Sequence, residues 1–260
     1  MERDEIRLHL EGEEGRIEAR ALIHGLGSLL KLLDMAAPEN ERPDWVISLL
    51  SEGSADVAIR PAGVVTQEAL EGITRVAEGV DALCRDSGIP DGWDQAMVKL
   101  LLEVSEVTRY SGVEGASLQW ASRSSVRVDR EVRAHAEESV SERRVSLGSV
   151  RGRLDRYFHR GNRREIGLVD EAAGTAIAVT FEEDLLERVK AAVEETVIAW
   201  GEVRRNERGQ KVGLRMEDFE VVRADSAHAA PVEQMVGTLG PDWTNGANSV
   251  DWVREQRRDE

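Results

Sequence analysis

From Asp4 to Leu10 the apolar side chains fall at every second position, Ile6, Leu8 and Leu10, the alternation of a strand with one buried face. Gly12 and Gly15 supply the turn after it. From Ile17 the period lengthens, and Leu22, Leu26, Leu29, Leu30 and Leu33 form one helical stripe that Pro38 and Asn40 end. Two strand-like runs follow, Trp45–Leu50 and Ala55–Arg60, joined as a hairpin by Glu52-Gly53-Ser54. Thr66, with Glu68 close behind, is placed to cap a helix through Arg85 whose inner face carries Leu70, Ile73, Val76, Val80 and Leu83. A loop with Gly88, Pro90 and Gly92 leads to a helix capped by Asp94, with Met97, Leu100, Leu101, Val104 and Val107 as its stripe. A second hairpin over Ser117–Asp129 and a short polar helix over Arg130–Ser141 follow. Residues 1–142 thus predict an α+β domain, a small antiparallel sheet covered on one face by about three helices.

Beyond Val145 the pattern changes to strands. Val150–Phe158, Glu165–Asp170, Ala176–Phe181, Val197–Val203 and Val212–Val222 all read as extended. Between the third and fourth, Glu183–Val193 is amphipathic, with Leu185, Leu186, Val189 and Val193 on one side. Three strands, a helix and two strands is the chain order of the OB-fold, a five-stranded Greek-key barrel. Residues 143–222 therefore predict an OB-like β-barrel domain; an SH3-like barrel or an open meander matches the strand count but explains the helix less well. Residues 223–260 form an extended polar tail, broken by Gly237, Gly240, Pro241 and Gly246, in which Ser249 is a fitting N-cap for Val250–Arg258.

A 260-residue chain that is 41% hydrophobic can bury two cores. No apolar run approaches the ~20 residues that span a bilayer, and Met1-Glu2-Arg3-Asp4-Glu5 lacks the basic-then-apolar order of a signal peptide. Cys84 stands alone, so it has no internal disulfide partner and is too little for a zinc site. The expectation is a cytoplasmic protein with no membrane partner and no cofactor. The net charge of −16 opposes adsorption to nucleic acid or anionic membranes over the whole surface.

Catalytic patterns are missing from the sequence. It holds no phosphate loop, no Gly-x-Ser-x-Gly elbow and no His-Glu-x-x-His helix. Gly25-Leu26-Gly27 sits inside a helical stripe and reads as a place where that helix packs closely on the sheet. The five histidines have no ligand spacing, and Glu182-Glu183-Asp184 opens a helix, where the backbone dipole favours acids. No catalytic residue and no metal ligand is assigned, and the chain is expected not to be an enzyme.

One stretch reverses the charge. Arg151, Arg153 and Arg160 are expected to share a face of the first barrel strand, and Arg160-Gly161-Asn162-Arg163-Arg164 to form the loop to the second. OB-folds bind oligonucleotides on the second and third strands and with that loop, so Arg151, Arg153, Arg160, Arg163 and Arg164 are candidate nucleic-acid contacts. Against this, stacking rings supply roughly 1–3 kcal/mol per base, whereas only 4% of residues are aromatic and the second and third strands offer little beyond Phe181. Arginines also serve as solvated partners for surplus acids. Nucleic acid is therefore the second choice of partner.

The tail carries the first choice. Leu239, Trp243, Val250, Trp252 and Val253 are apolar anchors in a segment too broken for a core of its own, followed by Arg254, Arg257 and Arg258. Tryptophan is the residue type enriched at interface hot spots. The other course open to the tail is to fold back on its own barrel.

The span Ser146-Leu147-Gly148-Ser149-Val150-Arg151-Gly152-Arg153-Leu154, with Val169-Asp170, Val179-Thr180-Phe181 and Val197-Ile198-Ala199-Trp200-Gly201, is similar to the C-terminal barrel of a group of poorly characterised two-domain bacterial proteins. Leu50-Ser51-Glu52-Gly53-Ser54-Ala55 in the N-terminal half resembles the same group, so the likeness spans most of the chain. Its motifs are structural and imply no activity. The tail, Leu239-Gly240-Pro241-Asp242-Trp243 to Val250-Asp251-Trp252-Val253-Arg254, resembles the toxin-contacting ends of antitoxins that inhibit PIN-domain ribonucleases. That resemblance implies an antitoxin whose Trp243 and Trp252 fill pockets on the toxin while Arg254, Arg257 or Arg258 reaches its acidic catalytic residues. The chain departs from such antitoxins in lacking a ribbon-helix-helix or looped-hinge start, which puts operator binding in doubt. A homo-oligomer stays open.

Overall fold

In the computed structural model, residues 4–37, 42–51, 55–120, 125–160 and 163–222 are described. Strand β1 (Ile6–Glu11) is the centre of an antiparallel sheet, because it pairs on one side with β3 (Ala55–Pro61) and on the other with β4 (Gly115–Trp120). The edges are β2 (Trp45–Ser51) beside β3 and the two-residue β5 (Val126–Arg127) beside β4, as the two predicted hairpins require. Leu8 lies opposite Val57 and Leu118, and Ile6 opposite Ile59 and Trp120, so the alternation read from the sequence becomes a continuous buried face.

The helices that accompany this sheet start where the sequence places their caps. Helix α2 (Gln67–Leu83) is capped by Thr66, whose hydroxyl accepts the Ala69 amide at 3.2 Å, and α3 (Gln95–Ser105) by Asp94, which accepts the Met97 amide at 2.9 Å. Asp129 caps α4 (Arg130–Ser139) in the same way. Helix α1 (Ala19–Ala36) differs in detail: its buried line is Ala21, Gly25, Ser28, Leu29, Leu32, Leu33 and Ala36, with Leu22, Leu26 and Leu30 half-buried beside it. A side chain at Gly25 would put its Cβ 2.8 Å from Val107 and 3.2 Å from Leu8, so the glycine is what brings α1 down onto the sheet. The stripe turns toward the smaller residues because close packing there excludes leucine.

The second half closes into a barrel of β6 (Arg144–Arg160), β7 (Arg163–Asp170), β8 (Ala176–Thr180), β9 (Thr196–Arg205) and β10 (Lys211–Val221). The ring runs β6-β7-β8-β10-β9 and back to β6; β8 and β10 are parallel and the other neighbours antiparallel. A 3-10 turn, Glu183–Leu185, leads into α5 (Leu186–Ala191) between β8 and β9. This connectivity is that of an OB-like barrel. Strand β6 begins six residues before the expected Val150, because Arg144–Ser149 pair with β9 through their backbone while burying none of their side chains. Val145 and Leu147 do alternate there, but on the outward face, so the stretch adds nothing to the buried pattern that marks the strand from Val150 on. Buried apolar residues fall in two clusters, one on the helix-covered face of the sheet and one inside the barrel. Among the described residues no helix is long and apolar enough to cross a membrane.

Trp93, just before α3, is fully buried and escaped the sequence reading because it stands in a Gly/Pro loop. Its indole donates to the Arg75 carbonyl at 3.0 Å, and its ring occupies the space a Cβ on Gly79 would need, 2.0 Å from Cε2. Alanine is the better helix former by about 1 kcal/mol, yet Gly79→Ala should lower stability by at least about 2 kcal/mol, because the rigid ring has to be displaced. Urea unfolding measures the sign directly.

Candidate functional site

Three surfaces of the barrel are relevant to binding. The first is the one an OB-fold ordinarily offers to oligonucleotides, the outer face of its second and third strands flanked by the loops that join strands one to two and four to five. Here the outward pairs between β7 and β8 are Glu165 with Thr180, Gly167 with Ala178 and Val169 with Ala176, alternating with buried Ile166, Leu168, Ile177 and Val179. Among the described residues no aromatic ring stands on this face. Phe181, the one ring weighed from the sequence, is buried in the barrel, 6.2 Å from the ring of Tyr157.

The loop between the fourth and fifth strands is already engaged. Asn206 is 0% exposed; its amide donates to the Ser139 carbonyl and to Gln210 Oε1, both at 2.8 Å, and its Oδ1 accepts the Gln210 amide at 3.0 Å. Gln210 Oε1 in turn accepts the Ile89 backbone N–H at 2.8 Å, and its Nε2 donates to the Ile89 carbonyl at 2.9 Å. Arg208 pairs with Asp86, and Arg204 with Glu142 at 2.9 Å. The loop is thus bonded to segments around Ile89 and Ser139 in the α+β half. Sequence reasoning missed this because the amides bond to backbone groups far along the chain, which no spacing reports.

Of the candidate arginines, Arg151 and Arg164 hold different acids and Arg153 stands apart from both. Arg151 reaches Glu171 at 2.8 Å, and Arg164 reaches Glu183 at 3.1 Å. Arg153 is exposed in the middle of β6, opposite Val169 and Thr196. Arg160 and Arg163 are backbone register partners at the end of the β6–β7 hairpin. An extra residue between Leu154 and Tyr157 shifts the β6–β7 register by one. Leu239, Trp243, Val250, Trp252, Val253, Arg254, Arg257 and Arg258 all lie outside the described residues.

The second surface lies on the other side of the barrel and was not anticipated. Val145 and Leu147 of β6 and Ile198 and Trp200 of β9 are all exposed, Leu147 at 77% and Trp200 at 38%. In register, Leu147 is opposite Glu202, Ser149 opposite Trp200 and Arg151 opposite Ile198, so the four apolar side chains share one outward face while Val197, Ala199 and Val203 point into the barrel. Beyond β9 the strip is bordered by acids, with Asp218 opposite Trp200 and Glu220 opposite Ile198. A signal was present: Val197-Ile198-Ala199-Trp200 is apolar at both parities, and an antiparallel strand with one solvated face needs only one.

The third surface is a crevice of about 600 Å³ between residues 89–93 and the barrel turns at 170–175 and 205–211. Its buried charge, Asp170, is matched by Lys211 at 2.7 Å. Elsewhere, His24 and His135 each direct a ring nitrogen at a backbone carbonyl, of Glu103 at 3.1 Å and Leu83 at 2.8 Å. Burial, reinforced by Asp81 and Asp129, raises the Cys84 thiol, which keeps it protonated and a poor nucleophile. Among the described residues no three His, Cys, Asp or Glu side chains are grouped to hold a metal ion.

Two predictions follow from this geometry. Replacing Asn206 by alanine strands the Ser139 carbonyl and the Gln210 amide in a buried site, so Asn206→Ala should destabilise the protein by about 3 kcal/mol, measured by denaturant titration. Asp218 is held below the ordinary carboxylate range by the Phe219 amide and then by Arg188, which bonds it at 2.6 Å, donates to the Phe219 carbonyl and lies over the Phe219 ring. A depressed folded value contributes stability that is complete above the unfolded pKa and lost as pH falls through the folded one. Arg188→Met should therefore flatten the acid side of the stability–pH profile, by less than about 1 kcal/mol at this exposed position.

A scan against protein-family models gives no match, and a search of the curated proteins gives none either. Among solved structures, a chain from the S. pombe Stn1-ten1 complex aligns at 17% sequence identity with a TM-score of 0.25, over 30% of this chain and 60% of that one. The OB-like assignment rests on the strand connectivity within this chain and not on that alignment.

Proposed function

We propose that this chain is a non-enzymatic binding protein whose principal ligand is another polypeptide, taken up on the outer face of β6 and β9. The observation that carries this is the exposure of Val145, Leu147, Ile198 and Trp200 on one outward face of the paired strands β6 and β9. Exposed apolar strips rimmed by polar residues mark interaction sites, and a central tryptophan is the commonest hot-spot type. An oligonucleotide fits less well: the β7–β8 face lacks stacking rings, the loop between β9 and β10 is bonded to the α+β half, and Arg151 and Arg164 already hold glutamates.

A second contact mode is that of a toxin inhibitor whose tail, through Trp243 and Trp252 with Arg254, Arg257 or Arg258, lies across a PIN-domain-like ribonuclease. Its support is the resemblance of the tail sequence. The two contact modes separate in one experiment, co-expression with the product of the neighbouring gene followed by co-purification. Leu147→Asp with Trp200→Asp should abolish recovery, each anchor contributing more than about 2 kcal/mol, while deletion of residues 236–260 leaves it intact. Loss on deletion with the barrel variants unaffected would assign binding to the tail. Salt-sensitive binding of a labelled single strand, lost in Arg151→Glu with Arg153→Glu, would move the assignment to nucleic acid.

A further inference from the structure

We propose that the barrel carries a phosphate-binding cleft, built by Arg164, Arg204 and Arg215, that takes a small phosphate monoester. The cleft has a volume of about 350 Å³. Three guanidinium groups and the Thr180 hydroxyl line it, and Glu182 is the one acid among its described lining residues. Buried Phe181 and Met216 border it on the barrel side.

The three arginines are far apart in sequence and come from three strands. Arg164 is the second residue of β7, Arg204 the last but one of β9, and Arg215 stands within β10. Thr180 ends β8 and is the register partner of Arg215, where β8 and β10 run parallel. Arg204 lies opposite Gly213. Its Cδ is 3.9 Å from the place a Cβ on that glycine would take, so no side chain at position 213 stands between Arg204 and β8.

The charges select the ligand. Arg164 has Glu183 at 3.1 Å, Arg204 has Glu142 at 2.9 Å, and Arg215 has Glu182 at 3.7 Å and Glu202 at 4.0 Å. Of these four acids only Glu182 lines the cleft; the others pair with their arginines from outside it. A guanidinium carries five donors and a carboxylate engages two of them in a fork, so such pairs leave donors over. The side chains of Arg164 and Arg204 are 18% and 26% exposed, against 79% and 48% for the acids they hold. The cations are thus the fixed members of these pairs, and an entering anion has only the exposed Glu182 to displace, at little cost.

Three planar forks around one cavity suit the several oxygens of a phosphate dianion, where a lone carboxylate fills only one fork. The volume lies within the ~300–1,000 Å³ of small-molecule sites, which leaves room for an organic group on the phosphate. A nucleic-acid strand is a poorer occupant. It has to continue past the cleft over a chain of net charge −16, whereas a compact monoester meets the cleft alone.

Isothermal titration calorimetry of the full chain, at constant ionic strength in chloride, tests this. Glycerol phosphate should bind at one equivalent, inorganic phosphate more weakly, and acetate not at all. Arg164→Gln and Arg215→Gln should each weaken binding by more than about tenfold. Glu182→Gln should tighten it by about threefold, a gain that a damaged fold does not give. Arg151 lies outside the cleft, so Arg151→Gln should change nothing. Leu147→Asp with Trp200→Asp should also leave binding intact, so this result stands apart from the barrel-face proposal. Equal affinity for the two phosphates overturns the monoester in favour of the free ion. Absence of binding overturns the cleft itself, as do binding that survives both arginine substitutions, an equal loss in Arg151→Gln, or tighter binding of a short oligonucleotide.

Discussion

The paired amides of Asn206 and Gln210 are the interaction on which the rest of the molecule depends. They are neutral, every nitrogen and oxygen of the two side-chain amides has a hydrogen-bond partner, and they stand at the point where the barrel meets the α+β half. A chain carrying −16 has little to gain from joining its halves through charge alone, and a buried unpaired charge would cost far more than a satisfied amide. The ion pairs Arg208–Asp86 and Arg204–Glu142 stand further out, where solvent screens them and each is worth little. The order is physically sensible: specificity from directional amides at the centre, modest electrostatic support around them.

That placement decides what the barrel can offer. An OB-like fold has its usual ligand surface between two loops. Binding one of those loops to Ile89 and Ser139 removes half of the clamp, and the strands between the loops carry Gly167, Ala178, Val169 and Ala176 where stacking rings would be needed. What remains is the opposite wall, where β6 overruns the barrel by pairing its first six residues with β9. Leu147 there is mostly exposed and Trp200 is exposed in part, which is why such large apolar side chains call for a functional account.

Most of the architecture was legible because it follows from local rules. The alternation of Ile6, Leu8 and Leu10, the caps at Thr66 and Asp94, and the three-strand, helix, two-strand order of the barrel all survive in the structure. Local rules failed where a contact was distant or a face was ambiguous. The buried line of α1 could not be placed before Val107 was known to press on Gly25. The start of β6 was invisible because that segment buries nothing, and Trp93 because its cavity is made by Gly79 on another helix. The arginine cluster that looked most like a site was legible as charge, but charge in sequence does not say which acids lie across the strands.

Two surfaces with exposed apolar side chains on a strongly acidic molecule invite the question of whether they serve one partner or two. Their backbones answer it. β2 presents an open edge, so whatever binds there must itself be a strand, and recognition is carried by main-chain hydrogen bonds with side chains fixing the register. On the β6–β9 face, Arg144–Ser149 pair with β9 alone while the rest of β6 lies between β9 and β7, so recognition there draws mainly on side chains standing off the barrel wall. The acidic remainder of the surface repels other anions from both, so each site is selected as much by what surrounds it as by what it contains.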